Sequence, residues 1–351
     1  IFEENRFIYS KFLKKLLNKS NIKKEFRNKT ILISGGTGSI GTGIVKQLLE
    51  CKPKMIKILT NDENSIFESR KLLGEISQIK YIVGDIRDND RLRLAMRNVN
   101  IVFHTAAMKH IDICEQNPFD AVKTNVIGTS NILEASIIEG VSKFVLISTD
   151  KATNPTTTLG ASKLLAERLT QDASSYVEGK KTIFSVVRFG NVIDSRGSVF
   201  QIFYNQLKNN LPITVTDSQM TRFIMSISDA SSMILKISSI AQDGEIFILK
   251  MPSVKIVELA KSMVEVFKKR TKQKNIPKIK ISKVREYERF YEILVTNDEI
   301  QFCYDLGDMY KLSKKQSKRR LSDTQFNSET GTKISKIKLE KIINELMNEY
   351  L

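Results

Sequence analysis

Asp150 and Lys151 are the residues of this chain best suited to moving protons. They stand side by side in Ser148-Thr149-Asp150-Lys151, so a carboxyl group and an amine can share acid and base duty if the amine is partly neutral. Thr149 adds a hydroxyl beside them. Lys163 follows Leu159-Gly160-Ala161-Ser162 and brings a second cation, which together with burial is expected to lower the Lys151 pKa. Upstream, Gly35, Thr37, Gly38, Ser39, Ile40 and Gly41 form a glycine-rich loop that lets backbone approach a pyrophosphate at a helix N-terminus. The two histidines, His104 and His110, are too few for an easy Ser-His-Asp triad or histidine metal site.

These groups need a scaffold, and the pattern around them supplies one. Thr30 to Ser34 is a short apolar run, followed by the glycine loop and by Ile44, Val45, Leu48 and Leu49 at helical spacing. Strand, loop and helix in that order give the glycine motif its required context. Met55 to Thr60 reads as a second strand, after which Asp62 can meet an adenosine ribose and favour NAD, while Arg70 or Lys57 can serve NADP. The third unit ends at Asp85 and Ile86, with Asp85 placed for the adenine amino group.

The fourth strand, Ile101 to His104, leads into Ala106, Ala107, Met108, Lys109 and His110. The small residues leave room for a cofactor; Lys109 and His110 face the crevice or serve as cap and surface. Phe144 to Ile147 is a fifth strand that delivers Thr149, Asp150 and Lys151 at its carboxyl end, where open parallel sheets bind ligands. The fold class is therefore α/β, a Rossmann-type doubly wound parallel sheet with a smaller substrate-binding domain. Residues 1–29 are a basic amphipathic extension, 30–190 the nucleotide domain with a return around 223–250, and 191–222 with 251–351 the smaller domain.

Composition excludes several classes. The chain has 351 residues, 41% of them hydrophobic, enough for a large core. No apolar window is long enough for a membrane span and no signal-peptide pattern starts the chain, so a cytoplasmic protein is expected. Cys51, Cys114 and Cys303 are too scattered for a disulfide framework or zinc site, and no metal is expected. The net charge of +17 leans toward the two ends, Lys11 to Lys29 and Lys311 to Arg320. No aromatic interleaving or nucleic-acid module accompanies it. Solvated surface is the expectation, with no nucleic-acid partner.

Resemblance sharpens the reading. From Ile33 to about Met251 the chain resembles the UDP-N-acetylglucosamine 4,6-dehydratases of the extended short-chain dehydrogenase/reductase superfamily, polysaccharide-biosynthesis branch. The matching pieces are the glycine loop, Ala106 to His110, Lys123-Thr124-Asn125, Ser148 to Ala152 with Asn154-Pro155-Thr156, Arg188 to Val192, and Met220-Thr221-Arg222-Phe223. The resemblance implies NAD or NADP held by the glycine loop, Asp62, Asp85, Ile86, Ala106, Ala107, Lys109, Asn125 and Lys163. It implies a UDP-sugar held by Lys109, His110, Asn191, Arg196, Ser198, Val199, Arg222, Arg285 and Glu288, and association into a homo-oligomer.

In that family a hydride leaves carbon 4, water is lost across carbons 5 and 6, and the hydride returns to carbon 6. Lys151 would take the carbon 5 proton, Asp150 would protonate the leaving hydroxyl, and Thr149 would bond near the carbon 4 oxygen. Leu159 stands where the superfamily has its catalytic Tyr, which resembles the branch that retains configuration at carbon 5. Arg285-Glu286-Tyr287-Glu288-Arg289 replaces the family's Arg-Pro-Gly-Glu-Lys, so a strained Tyr at a positive-φ position is expected to alter that loop. A 4-epimerase and a non-catalytic dinucleotide sensor are the alternative readings.

Overall fold

Strand β1 (Thr30–Ser34) is buried at every position, as a parallel strand covered by helices on both faces must be. The computed structural model describes residues 19–176, 182–273, 277–284, 286–313, 326–348 and 350. Around β1 lie β2 (Met55–Thr60), β3 (Ile79–Val83), β4 (Ile101–His104), β5 (Lys143–Thr149) and β6 (Ile183–Phe189). β1 pairs in parallel with β2 on one side and with β4 on the other. The strand order reverses there, and the crevice above such a switch point is where doubly wound sheets take their ligand.

The sheet continues through β5, β6 and the parallel strand Glu245–Leu249, and ends in antiparallel Met309–Leu312 and Cys303–Asp305, nine strands in all. Those last two lie within the stretch assigned to the smaller domain, yet Cys303, Met309 and Leu312 belong to the main core. Antiparallel edge strands need no crossover helix, so a C-terminal hairpin can extend a parallel sheet. A second core gathers Phe200, Phe203, Tyr204, Leu259, Met263, Phe267, Leu339 and Ile343. It joins helix Val199–Lys208 to Ile256–Thr271 and to the C-terminal helix Lys336–Met347.

Of the amphipathic extension, residues 1–18 lie outside the described residues; the helix Lys19–Phe26 docks Ile22 and Phe26 into the main core. Lys311, expected on the solvated surface, is instead buried and paired with Glu245 at 2.8 Å. It stands on an inner strand of the sheet, and a lysine there has to be paired. Among the described residues no helix is long and apolar enough to cross a membrane, and the three cysteines are free and buried.

Two polar devices fix the strand ends that matter. His104 on β4 bonds through Nδ1 to Ser34 Oγ at 2.6 Å and through Nε2 to Thr129 Oγ1 at 3.1 Å. Burial pushes its pKa down to about 3, so it is a neutral tie between β1 and β4. On β6, Arg188 is buried and forks onto Glu167 and Glu299, with NH2 2.7 Å from Glu167 and NH1 2.9 Å from Glu299. Ser148 opposes Arg188 in the β5–β6 register and donates to the same Glu167 at 2.5 Å.

Candidate active site

The cleft opens over the carboxyl ends of β1, β4 and β5 and encloses about 920 Å³. The glycine loop forms its floor. Gly35 has φ +67, and a Cβ on it would lie 2.8 Å from Ala106 Cα; one on Gly41 would lie 2.5 Å from the Gly35 carbonyl oxygen. Side chains here would force the loop off the β1–β4 junction. Helix Ser39–Leu49 follows, with no side-chain cap at its start, leaving its first N–H groups for an anion. The residues present fit a dinucleotide phosphate. Gly41→Ala is expected to weaken NAD(P)H binding by about 1–3 kcal/mol through overpacking, read by fluorescence titration; wild-type affinity would refute this account of the loop.

Thr37, Gly38, Ser39, Ile40, Asp62, Asp85, Ile86, Ala106 and Ala107 also line the cleft. Asp62 caps helix Glu63–Leu73, accepting from the Asn64 and Ser65 amides. Asp85 accepts from Arg87 Nε at 3.0 Å and NH2 at 2.7 Å and from Asn61 at 3.0 Å. The Arg87 guanidinium above all holds its carboxyl down at about 2. The two cations proposed for a 2′-phosphate are engaged elsewhere: Lys57 donates to the Ala95 and Arg97 carbonyls, and Arg70 lies over the Tyr81 ring. Asn125 does not line the cleft. It sits in a π-helical turn, Lys123–Ile127, and clasps the Met108 backbone and Ser162 Oγ from behind.

The proton-moving groups sit where β5 ends. Asp150 is fully buried, and its Oδ1 accepts from Thr149 Oγ1 at 2.8 Å and Lys151 Nζ at 3.0 Å. Its Oδ2 has no hydrogen-bond partner among the described residues and faces Gly190, where a Cβ would stand 3.1 Å from it. Thr149 and Lys151 reach the cleft wall; Asp150 lies behind them. Lys163 also lines the cleft and donates to the Ile147 carbonyl at 2.8 Å, and burial pushes its pKa down to about 8.

Lys151 departs from expectation. Burial does press its pKa downward, but Asp150 and a second carboxylate, Glu292, outweigh that and hold it above the ordinary lysine value. Lys163 is not among the groups that set it; the opposing cation is Arg222. The sequence reading missed Glu292 because 141 residues separate it from Lys151 and no local spacing joins them. Leu159 is buried against Cys114, Ala121, Met108 and Ile111, so an apolar side chain occupies the place a phenol would take.

On the far wall stand Lys109, His110, Asn191, Arg196, Ser198, Val199 and Arg222. Ser39 Oγ accepts from the Arg196 amide at 3.0 Å, and Lys109 Nζ donates to the Arg196 carbonyl, which joins the glycine loop to the substrate side. Ser198 and Val199 start helix Val199–Lys208 without a side-chain cap, a second N-terminus suited to phosphate. Arg222 spends its guanidinium on the Thr221, Arg289 and Phe290 carbonyls. Glu288 accepts from Thr216 at 3.1 Å and lies 3.9 Å from Arg222, outside the cleft lining. Arg285 lies outside the described residues. Tyr287 keeps φ +67, so this turn holds the left-handed conformation despite losing glycine.

The chain is similar to known proteins. A family profile described as "Polysaccharide biosynthesis protein" matches residues 31–314. An uncharacterized membrane protein of Methanocaldococcus jannaschii is 46% identical over 93% of this chain and 98% of its own length. A UDP-N-acetylglucosamine 4,6-dehydratase (inverting) of Campylobacter jejuni is 39% identical over 82% of this chain and 84% of its own. A UDP-glucose 4-epimerase of Rickettsia bellii is 38% identical over 82% and 83%. The X-ray structure of Pen from Bacillus thuringiensis superposes with a TM-score of 0.87 at 40% identity, over 93% of this chain and 99% of that one.

Proposed function

The chain belongs to the polysaccharide biosynthesis protein family, and from that membership we propose that it is a nucleotide-sugar 4,6-dehydratase acting on UDP-N-acetylglucosamine. The observation that carries this reading is the Asp150–Lys151 pair, 3.0 Å apart, at a strand end over a cleft built for a dinucleotide. NAD or NADP would be held by the glycine loop, Asp62, Asp85, Ile86, Ala106, Ala107 and Lys163. When bound there it would accept a hydride from carbon 4 and return one to carbon 6.

The chain's own residues handle the protons. Thr149, whose hydroxyl donates to Asp150, takes the proton of the carbon 4 hydroxyl as it passes its own to Asp150. The ketone at carbon 4 acidifies carbon 5, and Lys151, once it has lost to solvent the proton that Asp150 and Glu292 favour on it, removes the carbon 5 proton as the neutral amine. The electrons of the broken C5–H bond become the C5–C6 double bond, the C6–O bond breaks, and Asp150 returns its proton through the Thr149 hydroxyl, which reaches the cleft, to the departing hydroxyl, which leaves as water. Lys151 then returns its proton to carbon 5 as the hydride reaches carbon 6. Protons balance over the cycle, and one molecule of water is lost.

An apolar residue at position 159, in place of the superfamily's Tyr, resembles the branch of the family that retains configuration at carbon 5. We therefore assign retention, with UDP-2-acetamido-2,6-dideoxy-xylo-hexos-4-ulose as the product. The Rickettsia relative's name favours a second reading, 4-epimerisation, which uses the same hydride step without elimination.

One experiment separates them: incubate the protein with UDP-N-acetylglucosamine in deuterated water and follow the sugar by NMR. A 6-deoxy-4-keto sugar with deuterium at carbon 5 and gluco-type configuration is expected. A galacto product would establish epimerisation, an inverted carbon 5 would refute the stereochemical assignment, and unchanged substrate across several nucleotide sugars would sink both enzyme readings.

A further inference from the structure

Glu292 lies three residues past the Arg285 to Arg289 stretch, carries no step of the reaction proposed above, and faces the active site from behind. It is 3% exposed, and its Oε1 lies 3.3 Å from Lys151 Nζ and 3.6 Å from Arg222 Nε. Its Oε2, like Asp150 Oδ2, is buried with no hydrogen-bond partner among the described residues. An orphaned buried carboxylate oxygen is costly, and such a cost is tolerated where a group is held for function.

The backbone that aims Glu292 is tied to the catalytic strand end. Ser328 is fully buried; its Oγ accepts from the Glu292 amide at 2.9 Å, and its own amide donates to the Glu292 carbonyl at 2.8 Å. Thr153 Oγ1 contacts both the Asp150 carbonyl and the Ile293 carbonyl. Arg289 reaches from the same segment to the Thr153 and Asn154 carbonyls and to Thr156 Oγ1. Residue 292 thus cannot shift without moving the turn that follows Lys151. Asp150, Lys151, Glu292, Arg222 and Glu288 then alternate in sign along a continuous row.

We propose that Glu292 is a positioning residue of the active site: it grips the Lys151 ammonium opposite Asp150 and, with Asp150, sets the proton state from which the reaction starts. The catalytic consequence rests on the dehydratase reading; the effect on Lys151 does not. The charged groups facing Lys151 are Asp150, Glu292 and Arg222. Removing the Glu292 charge leaves Arg222 less compensated, and both changes favour the neutral amine.

The test reads Lys151 directly. Carbamylation by cyanate consumes only the neutral amine, and its rate at Lys151 is followed against pH by peptide mass spectrometry. In Glu292→Gln the rise in rate is expected at lower pH than in the wild-type protein, and Glu292→Asp is expected to keep a profile closer to wild type. A folded Glu292→Gln protein, checked by circular dichroism, with an unchanged Lys151 profile would overturn the proposal. If Glu292→Gln does not fold, Glu292→Asp decides: a carboxylate withdrawn by one methylene must move the profile to lower pH, and an identical profile overturns the proposal. Loss of the dehydratase reading shows up separately, as absent turnover beside a shifted labelling profile. Where turnover is present, the alkaline-rising limb of kcat/KM should move in the same direction.

Discussion

Lys151→Ala is expected to stop elimination while leaving NAD(P) binding intact, with turnover falling by roughly 10²–10⁴-fold, the usual contribution of a positioned acid–base group. Among the described residues the other two lysines of the cleft are engaged: Lys163 Nζ is buried and donates to the Ile147 carbonyl, and Lys109 Nζ donates to the Arg196 carbonyl. Asp150→Asn should cost a similar factor, since a carboxamide cannot give its proton to the leaving hydroxyl. The two variants differ in what survives. With Asp150→Asn the amine still faces carbon 5, so oxidised substrate should continue to exchange its carbon 5 hydrogen with solvent; with Lys151→Ala it should not. Near-normal turnover in Lys151→Ala, or rapid carbon 5 exchange in it, would remove the lysine from the chemistry.

Arg188→Met is expected to lower stability by about 3–5 kcal/mol, because it leaves the Glu167 and Glu299 carboxylates uncompensated in the interior. The guanidinium of Arg188 meets Glu167 in a near-parallel fork, Nε at 3.1 Å and NH2 at 2.7 Å, and spans Glu299 with NH1 and NH2, both at 2.9 Å. NH1 also caps the Leu294 carbonyl at 3.0 Å. Its loss therefore releases three partners at once. Denaturant unfolding measures the effect, and a change under about 1 kcal/mol would show the cluster to be dispensable. Adding Glu167→Gln and Glu299→Gln should recover part of the loss, because neutral amides tolerate burial better than orphaned charges. The same substitution should also lower turnover, since Arg188 joins β6 to the 292–299 segment that aims Glu292.

Much of the site was legible from local pattern. Thr30–Ser34, Met55–Thr60 and Ile101–His104 are strands with the bounds read from the chain, because short apolar runs flanked by turn residues have few alternatives in an α/β sequence. The glycine loop, Thr149, Lys151 and the Arg196 to Val199 segment all reach one cleft, since chain order along a parallel sheet places successive loops at one end. Other residues singled out in the sequence have structural partners that local pattern does not reveal. Asn125 supports the Met108 loop, Asp62 caps a helix, and Arg222 braces the 289–290 backbone. Residue type and spacing say that a polar group is present; they do not say which neighbour uses up its hydrogen bonds.

The sequence by itself determined the doubly wound sheet, the dinucleotide loop and the adjacency of Asp150 and Lys151, because each of these rests on residues within a few positions of one another. The proton state of Lys151 was decided only by tertiary structure. The local pattern foresaw an amine whose pKa is lowered by burial beside the charge of a bound nicotinamide and by Lys163; the folded chain brings Glu292 from 141 residues away and places it 3.3 Å from Nζ. Coulomb interactions fall off with distance in space and with burial, and take no account of separation along the chain. The C-terminal hairpin strands, the Ser328 clamp and the Arg188 cluster were hidden for the same reason: each joins residues whose proximity exists only after the sheet has closed.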